Sequence, residues 1–188
     1  TVTPLRAELV ANPGYLRSGM LLGSQSNVSF EVVNTGGVAT GPLEVQLPDF
    51  DWLSLASDPV IADLAPGERT TISLLLTPAA DLPLLLYEGA LNISGSNTYA
   101  MVGFQFRAVS EAVGNIQITV TDEYTFYAEG TPNLANARVT LTDPYTFEVM
   151  AQVITDETGI ATFSNLPEGP YTLEVSAEKH NTFRDSVI

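Results

Sequence analysis

The sequence predicts an all-β chain built as two tandem β-sandwiches, and three observations lead there. Apolar and polar residues alternate in short runs, glycine and proline interrupt the chain throughout, and no stretch of helical length shows a 3.6-residue period. A period of two turns one face of each run toward a core and the other toward water. Several such runs bury their apolar faces by packing sheet on sheet.

In the first part, residues 1–110, the alternating runs are Val28, Phe30 and Val32; Leu43, Val45 and Leu47; Ile72, Leu74 and Leu76; and Val102, Phe104 and Phe106. Asn34-Thr35-Gly36-Gly37 and Ala65-Pro66-Gly67-Glu68 lie between them. The second places proline where φ is already set and glycine where φ must be positive, the requirement of a type II turn. Leu82 to Leu86, interrupted by Pro83, reads as a buried loop or short edge segment leading into a strand from Tyr87 to Ser94. About seven or eight strands are expected in this part, enough for two sheets.

The pattern pauses at Ser110-Glu111-Ala112-Val113-Gly114, a short linker without a Ser/Gly tract that implies a restricted orientation between domains. A second domain, residues 115–188, follows. Its runs are Ile116, Ile118 and Val120; Val139 and Leu141; Val149, Ala151 and Val153; Ala161 and Phe163; Tyr171, Leu173, Val175 and Ala177; and a last strand near Arg184 to Ile188. An open edge at that last strand is an aggregation hazard, so this sandwich is expected to be truncated before a final strand supplied by a parent protein. Thr121-Asp122-Glu123-Tyr124-Thr125-Phe126 is echoed by Thr142-Asp143-Pro144-Tyr145-Thr146-Phe147, too short to define a repeat and explained by chance or by two similar strand ends.

With 188 residues, 45% of them hydrophobic and 15% charged, the chain is large enough to bury a core in each domain. Its net charge of -15 repels phosphate backbones and anionic lipid, which argues against nucleic-acid partners and membrane attachment. Both parts are acidic, with net charge -6 over residues 1–110 and -9 over residues 111–188. Absence of cysteine removes disulfides, thiolate nucleophiles and thiolate metal sites. No apolar run approaches the roughly 18 residues of a membrane span, so no membrane insertion is expected. An opening of Thr1-Val2-Thr3-Pro4 reads as a piece of something longer.

The segments Ala137-Arg138-Val139-Thr140-Leu141, Thr155-Asp156-Glu157-Thr158-Gly159, Ala161-Thr162-Phe163, Asn165-Leu166-Pro167-Glu168-Gly169-Pro170-Tyr171 and Leu173-Glu174-Val175-Ser176-Ala177 resemble the carboxypeptidase regulatory-like modules. Those modules share a transthyretin-like (prealbumin) sandwich and are related to the B-type repeats of bacterial collagen adhesins. The resemblance raises an internal Lys–Asn isopeptide bond, which needs a first-strand lysine. None lies between Ile116 and Thr121, and Lys179 is the only lysine of the chain, so no such bond is expected. In the first domain, Phe30-Glu31-Val32-Val33-Asn34-Thr35-Gly36, Leu64-Ala65-Pro66-Gly67-Glu68 and Tyr87-Glu88-Gly89-Ala90-Leu91-Asn92-Ile93 resemble the immunoglobulin-like modules found between catalytic and anchoring parts of bacterial secreted proteins.

Function is expected to be that of a non-catalytic spacer and interaction module of a larger secreted or cell-surface bacterial protein, located outside the cell. Partners would be neighbouring domains of that protein, a polysaccharide or another surface protein. A single histidine, His180, excludes any multi-histidine metal site, and no catalytic, cofactor or metal residue is expected. The acid pairs Asp49 and Asp51, Asp122 and Glu123, and Asp156 and Glu157 lack the ligand density of a calcium loop and read as solvated turn chemistry. Asn27-Val28-Ser29 and Asn92-Ile93-Ser94 fall inside strands and read as chance sequons. The alternative is a carbohydrate-binding accessory region whose platform is Phe50, Trp52, Tyr124, Tyr127 and Tyr145, with Phe126 and Phe147 close by in sequence. Flat rings on a rigid sandwich stack sugars, whereas the same rings also serve to close sandwich ends.

Overall fold

A computed structural model describes residues 5–122, 124 and 133–187. Among these residues every regular element is a strand, and the chain divides into two compact units, 1–109 and 110–188.

The first unit contains β1 (Leu9–Asn12), β2 (Tyr15–Leu21), β3 (Ser26–Asn34), β4 (Leu43–Gln46), β5 (Leu53–Leu55), β6 (Val60–Ile61), β7 (Arg69–Leu76), β8 (Leu86–Ser94) and β9 (Tyr99–Val109). One sheet runs β1-β3-β7-β5 and the other β2-β9-β8-β4-β6. Placing β1-β3-β7-β5 opposite β9-β8-β4 gives the A-B-E-D and G-F-C strand order of an immunoglobulin sandwich. Phe30 and Val32 of β3, Ile72, Leu74 and Leu76 of β7, Leu91 and Ile93 of β8, and Val102, Phe104 and Phe106 of β9 fill the space between the sheets, all 2% exposed or less. These are the inward positions that the period of two marks.

Nine strands occur where seven or eight were expected. β5 and β6 span three and two residues, too few to show a period. β2 buries Leu16 and Met20 on either side of Ser18, which breaks its apolar alternation. The type II turn forms as its residues require: Glu68 N–H donates to Ala65 O at 3.0 Å and Gly67 has φ +82°. Residues 82–85 are a loop with Leu82 and Leu84 half-buried and Leu85 exposed, and β8 starts at Leu86.

The second unit contains β10 (Val113–Thr119), β11 (Arg138–Thr142), β12 (Val149–Ile154), β13 (Ile160–Pro167), β14 (Tyr171–Ser176) and β15 (Phe183–Val187). A four-stranded sheet, β12-β11-β14-β15, faces the pair β10-β13. Between them lie Ala137, Val139, Leu141, Ala161, Phe163, Leu166, Tyr171, Leu173 and Val175. The turn into β13 is built by Asp156, whose carboxylate accepts N–H bonds from Thr158 at 2.8 Å and Ile160 at 3.0 Å. Gly159 closes that turn at φ +74°, with Asn133 so near that an added Cβ would lie 2.3 Å from its side chain.

Candidate functional site

Phe50 and Trp52 sit on the connection between β4 and β5, where the chain passes over the end of the first sandwich. Trp52 is 4% exposed and belongs to the core. Its ring stacks on Phe50 at 4.8 Å and meets Tyr87 edge-on at 5.4 Å, Phe106 at 6.2 Å and Phe104 at 6.4 Å. Trp52 O also accepts the Thr77 N–H at 2.9 Å, which draws the loop against β7. The expected platform is therefore corrected at this pair: the rings meet each other and the core, because burying that area outweighs exposing it.

The remaining platform residues belong to the second unit. Tyr124 is 73% exposed, Tyr145 is half-buried in the β11–β12 loop, and Phe147 beside it is 80% exposed with φ +61°. Tyr127 and Phe126 lie outside the described residues. The sequence echo has a shared structural content. Asp122 Oδ1 accepts the Tyr124 N–H at 2.9 Å and Asp143 Oδ1 accepts the Tyr145 N–H at 2.8 Å, the same Asx turn at two places.

Beside Tyr124 is the cleft that alternation alone does not reveal. It has a volume of about 460 Å³, within the roughly 300–1,000 Å³ range of small-ligand sites. Its floor is Ile118, Val120, Leu134, Leu173 and Val175, and its rim includes His180, Asn181 and Phe183. His180 stands at one end. Its Nδ1 lies 2.7 Å from Glu178 O, so that nitrogen carries the proton and donates, because a carbonyl only accepts. Nε2 faces Asp122 Oδ1 at 3.4 Å, which makes an ion pair when the ring is protonated on both nitrogens. The Tyr124 ring is 6.1 Å from the imidazole, centroid to centroid.

His180 is held by a main-chain carbonyl on one side and a carboxylate on the other, with no hydroxyl nucleophile hydrogen-bonded to it among the described contacts. No group of three or more potential metal ligands occurs among the described residues. Asp156, in its turn, is held below the usual carboxylate range by the Thr158 hydroxyl first and the Ile160 N–H second, which is turn chemistry and not proton transfer. No helix among the described residues is long and apolar enough to cross a membrane.

Sequence reasoning missed the cleft because it depends on which strands face each other. Ile118 and Val120 read as inward from their spacing; that only β10 and β13 face the four-stranded sheet among the described residues is a property of topology.

No curated protein matches the chain. Among solved structures it is similar to a family 123 glycoside hydrolase from Clostridium perfringens, at 7% identity and TM-score 0.43 over 60% of this chain, which spans 28% of the hydrolase. The CupB2 chaperone of Pseudomonas aeruginosa is 13% identical with TM-score 0.41, covering 94% of this chain and 98% of the chaperone. A mutant of the SrpA adhesin from Streptococcus sanguinis is 10% identical with TM-score 0.41, covering 97% of this chain and 94% of the adhesin. Residues 108–188, which contain the segments that suggested that family, match the family model of the carboxypeptidase regulatory-like domain.

Proposed function

We propose that the chain is a non-catalytic spacer and interaction module of a larger secreted or cell-surface bacterial protein, an immunoglobulin-like sandwich followed by a transthyretin-like one. The observation that carries this reading is how the acids are used. Asp58, Asp63, Asp122, Asp143 and Asp156 each accept a main-chain N–H from a turn or loop. Side chains spent on holding loops in shape give rigid ends, which suits a part that spaces and presents.

Replacement in the parent protein tests it. Exchanging this region for two unrelated sandwiches of equal length retains the parent's activity if spacing alone matters, and loses surface attachment if the region also binds. Turnover of any substrate by the purified chain that is abolished in His180→Ala would overturn the non-catalytic reading.

The carbohydrate-binding reading now rests on the exposure of Tyr124 and Phe147. Retention on insoluble polysaccharide that is lost in Tyr124→Ala or Phe147→Ala supports it. Trp52 fluorescence is a poor reporter for this purpose, because the ring lies in the core.

A further inference from the structure

The inner face of the second unit is covered unevenly. Among the described residues four strands, β12-β11-β14-β15, are opposed by two, β10 and β13. On β15, Phe183, Asp185 and Val187 stand opposite Val175, Leu173 and Tyr171 of β14. Residues directly opposite in an antiparallel pair share a face, so all three point inward. Their β14 partners are 5–8% exposed, yet Phe183 is 55% exposed and Asp185 is exposed. β10 shows the same imbalance. Ile116 and Ile118 are half-buried, while their β13 partners Phe163 and Ala161 are 2% exposed or less. The cleft lies where these two half-covered rows meet.

Main-chain geometry says what shape fits there. Val120 N–H donates to Gly159 O at 2.9 Å, and Val120 O accepts the Leu134 N–H at 2.7 Å. Gly159 immediately precedes β13 and Leu134 follows Asn133, which bridges Thr121, so both main-chain groups of Val120 are taken up on one side. Successive residues of a strand direct these groups to alternate edges, so Gln117, Thr119 and Thr121 present theirs to the opposite edge. Among the described residues β10 has no strand neighbour on that edge. Main-chain donors and acceptors with no strand partner among the described residues, beside an apolar floor, select an extended peptide, whose main chain pairs with the edge while alternate side chains fill the floor.

We propose that this cleft accepts a β-strand from another polypeptide: an extended segment of alternating apolar residues carrying Lys or Arg, paired with β10 and laid over Leu173, Val175 and Phe183. It deepens the interaction-module reading and rests on it. Charge selects the partner over a second copy of this chain. Asp185 points inward at the open face and Asp122 stands at the His180 end of the cleft, in a chain of net charge -15. Two such chains repel, whereas a basic strand gains from the exposed Asp185.

The probe is the blocked heptapeptide acetyl-Lys-Val-Thr-Val-Thr-Val-Lys-amide, followed by amide hydrogen exchange and chemical shifts in the whole chain. The expected result is slowed exchange at Gln117, Thr119 and Thr121 with shifts confined to the cleft. Phe183→Ala, at an exposed position that leaves the core intact, weakens binding by about tenfold. A peptide N-methylated at its central valine loses most of its binding, since it cannot donate to the edge. Replacing the lysines by glutamates weakens binding in a salt-dependent way.

Equal binding of the N-methylated peptide, or shifts without protection of those three amides, would overturn the strand in favour of side-chain insertion alone. Protection that appears without peptide and rises with protein concentration would make a second copy the occupant. No protection up to about 1 mM peptide overturns the proposal too. That failure is distinguishable from failure of the broader reading, which the replacement experiment in the parent protein decides separately.

Discussion

Asn34 shows how much a single polar side chain does in this fold. It is fully buried, donates Nδ2–H to Val38 O at 2.8 Å and Leu64 O at 2.9 Å, and accepts N–H bonds at Oδ1 from Gly36 at 3.0 Å and Glu8 at 3.3 Å. It thus ties three loops to the end of β3. Asn34→Leu keeps the branched shape and strands these groups in the interior, so it should lower stability by about 2–4 kcal/mol in urea unfolding. Asp156 acts at the surface, and its effect is read through pH. Its carboxyl is held below the ordinary 3.8, first by the Thr158 hydroxyl. A folded-state value below the unfolded one contributes stability that is present above the unfolded value and lost as pH falls through the folded one. Asp156→Asn should therefore flatten the acid limb of the melting temperature below pH about 4, while leaving its dependence near neutrality unchanged.

At the level of elements, the strands that pack on both sheets were legible and the connection that crosses them was not. Phe30, Val32, Ile72, Leu74, Phe104 and Phe106 are inward because alternation has one solution once a core exists. Phe50 and Trp52 fit either an exposed platform or rings that close a sandwich end, because alternation says nothing about a turn that folds back over that end. The aromatic cluster makes the difference measurable. Trp52→Ala should cost about 3–5 kcal/mol, against a near-neutral effect for a ring in a solvated platform. The same reasoning separates the two halves of the candidate site. Ile118, Val120 and Leu173 could be marked as apolar and inward from their spacing, but the cleft they line required knowing that a four-stranded sheet faces a two-stranded one.

For the molecule as a whole, the two units differ in how much they bury. Among the described residues the first core holds 20 buried apolar side chains and the second nine. Buried apolar area dominates stability, so the second unit should melt first. Calorimetry should show two transitions, with Trp52 emission silent through the lower and shifting through the upper. A single transition seen by both probes would refute independent cores.

The pairing of β2 with β9 adds a consequence under tension. It is parallel, seven residue pairs from Tyr15 opposite Gly103 to Leu21 opposite Val109, in a unit whose other strand pairs are antiparallel. A pull that enters ahead of β1 and leaves after β9 drags these two strands past each other lengthwise. All the rungs between them are then loaded together in shear, whereas an antiparallel hairpin pulled at its open end unzips one rung at a time. Stretching the first unit along the chain should therefore require a higher force than unzipping it would, which single-molecule pulling measures.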